Sequence, residues 1–218
     1  MSSPKPSRLH PPRLPADLPP GVIEAFEEES EYSAISLSEC DLSNRSAGRV
    51  VFDQMLLHHV TLARARLPNM RMTDSRLIGS DLSGAVLQKA RWHRVEFVGC
   101  RLTGMQLSQL TGGDILFREC ILESALFTSG QFKSVRFERC RMRKILLEKM
   151  GLSGGVFLGC DLTGADLTGS TLKGADFRGS DLSGVHVDDR QLQGTIIDPL
   201  QAVQVAALLG ITVKDPLD

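Results

Sequence analysis

From Leu37 to Ile197, every fifth residue is large and apolar apart from Ala47 and Gly112. The residue two places earlier in each block of five is almost always small or apolar too, with Arg45, Arg190 and Thr195 the departures. Thirty-three such blocks follow one another without a single insertion. A period of five fits neither a helix at about 3.6 residues nor a strand at 2, so the unit is a short extended piece followed by a turn, repeated as a coil. Two positions in five then face an interior.

Two longer regularities predict the size of one coil. Phe97, Phe117, Phe137, Phe157 and Phe177 recur every twenty residues at the third position of a block, and Cys40, Cys100, Cys120, Cys140 and Cys160 all occupy the first. Twenty residues is four blocks, so the coil has four sides, and residues twenty apart stack about 4.8 Å from one another. The phenylalanines are expected to form one internal ladder and the cysteines another on the adjoining face. Gly ends every block from Gly154 to Gly184, which suits a type II turn with its positive φ. Between Gln109 and Lys149 that position is polar or charged, and a different corner turn is expected there. Gly112 replaces a large inward residue, so Trp92 and Phe132 are expected to lean into the gap.

The blocks ADLTG at 165–169 and ADFRG at 175–179 resemble the pentapeptide-repeat family, whose consensus is A(D/N)LXX. The resemblance implies an all-β fold: a right-handed quadrilateral β-helix of about eight coils over residues 35–197. Residues 1–20 hold seven of the ten prolines and are expected to be disordered. Residues 21–34 read as a short helical N-terminal cap using Val22, Ile23 and Phe26. Residues 198–218 read as a C-terminal capping helix and tail, with Asp198 as N-cap, Pro199 in the first turn and Gly210 as the stop. That helix is polar only at Gln201 and Gln204, so it needs cover on two sides. Leu200, Val203, Ala207 and Leu208 are the expected homodimer contact.

With 218 residues and 42% hydrophobic content, the chain can bury a sizeable core. Its formal net charge of −1 gives no overall bias toward nucleic acid or anionic lipid. No apolar run approaches the roughly 18 residues of a membrane span, and the N-terminus has no apolar leader core, so a cytoplasmic protein without membrane contact is expected. Thiols stacked in parallel converge on no tetrahedral centre and fit disulfide geometry poorly, so the cysteines read as reduced core residues. His10, His58, His59, His93 and His186 share no metal spacing. No phosphate loop, nucleophile elbow or HExxH occurs. Hence no catalytic, cofactor-binding or metal-ligating residue is expected, and the chain reads as a non-enzymatic interaction protein.

Charge is unevenly placed. Residues 45–149 carry eighteen Lys and Arg against nine Asp and Glu, while residues 150–218 carry four against nine. The one Trp and the phenylalanines point inward, so no stacking platform accompanies the basic coils and direct nucleic-acid binding is not expected. Four outward positions are apolar, Leu116, Ile121, Leu126 and Leu146; they read as a partner surface or as a bed for the N-terminal arm. The family resemblance is to its quinolone-resistance (Qnr-like) and mycobacterial fluoroquinolone-resistance members. These imply a dimer joined through the C-terminal helix that binds DNA gyrase as a duplex-DNA mimic and protects it from inhibitors. On this chain the mimic surface would be Asp161, Asp166, Asp176, Asp181, Asp188 and Asp189, the only coils with the required sign. The alternative is a generic scaffold that binds another protein through the apolar patch.

Overall fold

A computed structural model describes residues 9–188 and 190–214. The chain winds as a four-sided parallel β-helix in which each residue pairs with the one twenty places on. The four faces are ladders of rungs, running from Glu31 to Thr171, Ser36 to Ile196, Asp41 to Asp181 and Ser46 to His186. Regular strands make up about six turns, ending at Leu158. Above that, single bridges such as Asp161 to Asp181 and Asp176 to Ile196 carry the same register onward. The strands Arg71–Ile78, Arg91–Val98 and Thr111–Arg118 are eight residues long and run through a corner without a break.

The inward pair of each block packs a single continuous core. The phenylalanine rings from Phe97 to Phe177 stack 4.8 to 4.9 Å apart with interplanar angles of 4 to 14°. The rung spacing of the backbone therefore sets the spacing of the rings. The cysteine sulfurs stay as free thiols. Each buried one lies near backbone carbonyls, as Cys120 does at 3.3 Å from both Phe97 and Arg118.

The corners differ from expectation. Gln109, Asp114, Glu119, Ser124, Arg139, Lys144 and Lys149 adopt φ of 50 to 59°, close to the 62 to 73° of the glycines from Gly154 to Gly179. The same left-handed corner conformation recurs along the solenoid whether or not the residue is glycine, with Ser134 the exception within this stretch. A left-handed residue that is not glycine costs about 1 to 2 kcal/mol, and the inter-coil hydrogen bonds on both sides of each corner hold it there, as in Gln109 N–H to Thr128 O at 2.9 Å.

Both ends also correct the sequence reading. Residues 21–34 form turns and a short strand, Glu31–Ser33, with no helix. Ile23 and Phe26 do cover the first coil, but Val22 is 84% exposed. Phe26 packs with Tyr32 and Phe52, ring centroids 5.9 to 6.2 Å apart, and those contacts close the end without a helical turn. Residues 9–20, expected to be disordered, lie along one corner of the solenoid. Pro20 bridges to Ser36; the Arg13 amide donates to Asp74 at 2.9 Å, and His10 meets Asp114 at 3.2 Å. Asp74 and Asp114 are corner residues two coils apart. Three residues of extended Pro-rich chain, at about 3.1 Å each, span two coils of about 4.8 Å, which explains the match.

At Gly112 one of the two expected rings closes in. Phe132 ring carbons lie 3.3 to 3.4 Å from where a Cβ would sit, and Ile115 Cγ1, rather than Trp92, fills the rest at 3.3 Å; Trp92 tilts against Phe97 at 5.1 Å. A groove of about 440 Å³ lies on the outside of this face.

Candidate functional site

The C-terminal cap is built inside out. Asp198 Oδ1 accepts from the Leu200 and Gln201 amides at 3.0 and 3.1 Å, and Gln201 Oε1 accepts from the Asp198 amide at 2.9 Å. This reciprocal capping box starts the helix Gln201–Leu208. Gly210, at φ 73°, ends it.

The helix's two polar residues face the solenoid. Gln201 is buried and donates to the Phe177 and Ser180 carbonyls at 2.6 Å; Gln204 accepts from the Leu182 amide and donates to Asp181. The open rim of the last coil exposes backbone groups that would otherwise lack partners, and amide side chains meet them. The apolar residues divide: Val205 and Leu208 pack partly on the core, while Leu200 is 87% exposed and Val203 56%, with Leu209, Ile211 and Val213 also exposed. Ala207 is exposed as well. Of the four expected contact residues, three are available at the surface and Leu208 serves mainly the cap.

The acidic residues fall into two kinds. Asp161, Asp166 and Asp181 each accept at 2.9 to 3.0 Å from the amide two residues on, which fixes the corner turn. The second oxygen of each carboxylate accepts no hydrogen bond among the described residues, that of Asp161 lying 3.6 Å from Arg143. Asp181 is held below the usual carboxylate range by its bonds to Ser183; for Asp166 the bonds from Thr168 outweigh the opposing effect of burial. Asp176 differs, being only 3% exposed and chelated by the Arg178 guanidinium at 2.7 to 3.2 Å. It is a structural ion pair and offers little to a partner. Asp188 is exposed and accepts from the Gly169 amide at 3.1 Å. Asp189 lies outside the described residues.

A feature missed in the sequence pairs several of the charges, although each pair takes one residue of either sign and so leaves the basic surplus of residues 45–149 nearly unchanged. Opposite charges are stacked twenty residues apart, one rung above the other: Glu29 with Arg49, Asp74 with Arg94, Arg76 with Glu96, Glu119 with Arg139, and Arg118 with Glu138. Reading the charges at an offset of twenty would have found them. The C-terminal coils break this rule, since Asp161 is the rung partner of Asp181. Asp161 has instead a loose 3.6 Å contact with Arg143.

The apolar patch is divided. Leu116 is buried, facing Leu9, His10 and Pro11 of the arm across a small cleft. Ile121 is half-buried, and Leu126 and Leu146 are direct rung partners, Leu126 being 39% exposed. Among the described residues, no group of three or more His, Cys, Asp or Glu could hold a metal ion, and no helix is long and apolar enough to cross a membrane.

Two family models match, one for a pentapeptide repeat region over residues 70–147 and one for eight copies of the pentapeptide repeat over residues 152–184. The chain belongs to the pentapeptide-repeat family. No curated protein sequence matches this pentapeptide-repeat protein. Among solved structures it is similar to trypsin-treated QnrB1, a plasmid-mediated fluoroquinolone resistance protein: 20% identity, 85% of this chain and 100% of that one covered, TM-score 0.47. It is also similar to HetL, a pentapeptide-repeat protein involved in heterocyst differentiation regulation in the cyanobacterium Nostoc sp. HetL shares 20% identity, with 79% and 90% of the two chains covered and a TM-score of 0.24. The pentapeptide-repeat protein is a repeat scaffold, with its chemistry confined to what the faces and the two ends display.

Proposed function

We propose that the protein is a cytoplasmic, non-enzymatic interaction module that dimerises through its C-terminal helix and occupies the DNA-binding groove of a type II topoisomerase such as DNA gyrase, shielding it from inhibitors. The observation that carries the interaction reading is the cap helix, which turns its amides, Val205 and Leu208 toward the solenoid and leaves Leu200 and Val203 to solvent, with Leu209, Ile211 and Val213 exposed beyond it. Exposed apolar residues clustered at one end of a solenoid favour a partner there. Beside that end lie Asp161, Asp166 and Asp181, their turn-capping oxygens occupied and their remaining oxygens accepting no hydrogen bond among the described residues. Tail-to-tail pairing would bring two such sets together around the dimer centre, presenting a run of negative charge to a basic groove. The kind of partner comes from the resemblance to the quinolone-resistance members of the family.

The test is competition. A labelled DNA duplex bound to gyrase should be displaced by the wild-type protein, and displacement should weaken as salt rises, because attraction between charged patches is screened over about 8 to 10 Å at physiological ionic strength. Absence of any displacement at low salt would contradict the reading.

A further inference from the structure

On the face that carries the Gly112 gap, the charge rule fails in the opposite sense. Arg71 and Arg91 are direct rung partners, one coil apart, and among the described residues neither has a carboxylate within ion-pairing distance. Like charges directly opposite one another destabilise a sheet, and this solenoid avoids that arrangement at five other stacked sites. Both arginines border the groove of about 440 Å³, with Lys133 on its far side.

The other polar groups on the groove are the neutral side chains of Thr73, Thr111, Gln131 and Ser134, the ring of His93 and one acid. The Arg94 guanidinium, which must donate, sits against His93 Nε2, so the neutral ring carries its proton on Nδ1. That nitrogen lies 3.8 Å from the point where a Cβ on Gly113 would be, in the space the glycine leaves free. The indole N–H of Trp92 has no acceptor, but it is buried among the core side chains and is not offered to the groove. The single acid there, Asp114, is already engaged by the Ser134 hydroxyl at 2.8 Å and by His10. The groove therefore presents three cations and one spare N–H group, against a single acid that is already engaged.

We propose that this groove binds a small organic phosphate. The phosphate is clamped between the stacked guanidiniums of Arg71 and Arg91, whose planar forks suit its oxygens, with Lys133 as a further cation. The organic part lies over the bare backbone of Gly112 and Gly113. The volume falls within the roughly 300 to 1,000 Å³ of small-molecule sites. Binding relieves the arginine repulsion, so occupancy also stabilises the fold.

Trp92 is the only tryptophan, so its fluorescence reports on the groove directly. Titrating the full-length protein with ribose 5-phosphate should give a saturable change, with ribose silent and inorganic phosphate competing more weakly. Arg91→Glu would place an acid opposite Arg71, as in the other stacked pairs; it should keep or raise the thermal midpoint and weaken binding by at least about tenfold. Gly113→Val, whose Cβ meets nothing closer than 3.8 Å, should fold normally and lose the response. The proposal is overturned if ribose 5-phosphate gives no saturable change at millimolar concentration, or if ribose binds equally well. Unchanged affinity in Arg91→Glu would overturn it too, and tighter binding of inorganic phosphate would contradict an organic ligand.

Discussion

Asp161 and Asp181 are rung partners one coil apart on a single face, in a solenoid that sets acid over base at five other sites. Each uses one oxygen to fix its corner, accepting from the Thr163 and Ser183 amides at 3.0 and 2.9 Å. Asparagine keeps that acceptor and removes the charge. Asp161→Asn with Asp181→Asn should therefore leave thermal stability within about 0.5 kcal/mol of the wild type or raise it slightly, because opposed like charges are destabilising by tenths of a kcal/mol. A clear loss of stability would mean that the acids are structural and would remove the reason to read them as a partner surface.

The cap helix predicts self-association. The wild type should sediment as a dimer at micromolar concentration, and Leu200→Glu with Val203→Glu should give a folded monomer, since both side chains are mostly exposed. Leu208 is a poor choice for that test because it packs partly on the core. A monomeric wild type would contradict the interface.

The arm and its acid contact predict a pH dependence. The Asp74 carboxyl is held below the usual range by the Arg94 guanidinium, with the Arg13 amide adding to this and burial opposing it. A carboxylate lowered in the folded state contributes stability above its unfolded value of 3.8, and that contribution is lost as pH falls through 3.8 toward the folded value. Asp74→Asn should cost about 1 to 3 kcal/mol near neutral pH, and the difference from wild type should shrink below pH 3.8. Limited proteolysis should cut residues 9–20 faster in the variant at neutral pH. Equal cleavage would show that the arm is held by other contacts.

The ring ladder predicts a large packing penalty. Phe137 lies between Phe117 and Phe157, at 4.8 and 4.9 Å, and is fully buried. Phe137→Ala should destabilise by about 3 to 5 kcal/mol in thermal or denaturant unfolding. A loss under about 1 kcal/mol would mean that the coils repack around the hole.

The coil was legible because a side chain every fifth residue admits few backbones, and the twenty-residue recurrence of Phe97 to Phe177 gave the number of sides. The corners were misread because glycine is sufficient for a positive φ but unnecessary where hydrogen bonds on both sides impose it, as at Glu119 and Lys144. The arm was misread because composition registers the lack of a core within residues 9–20 and ignores the corner carboxylates Asp74 and Asp114 that receive it. For the surface, the sign of each residue was visible, yet whether a charge is spent inside the protein depends on its neighbour twenty residues away. Asp176 and Asp181 look alike in sequence; Arg178 chelates the first, and the second keeps one oxygen without a hydrogen bond among the described residues.

The measurement that tests the proposed role most directly is a gyrase supercoiling assay run with a fluoroquinolone, comparing the wild type with Asp161→Asn, Asp166→Asn and Asp181→Asn combined, a variant that spares the buried Asp176–Arg178 pair. The account predicts that the wild type restores supercoiling and that the triple variant, with an unchanged circular dichroism spectrum, does not. A wild type without effect, or a triple variant that protects equally well, would contradict it.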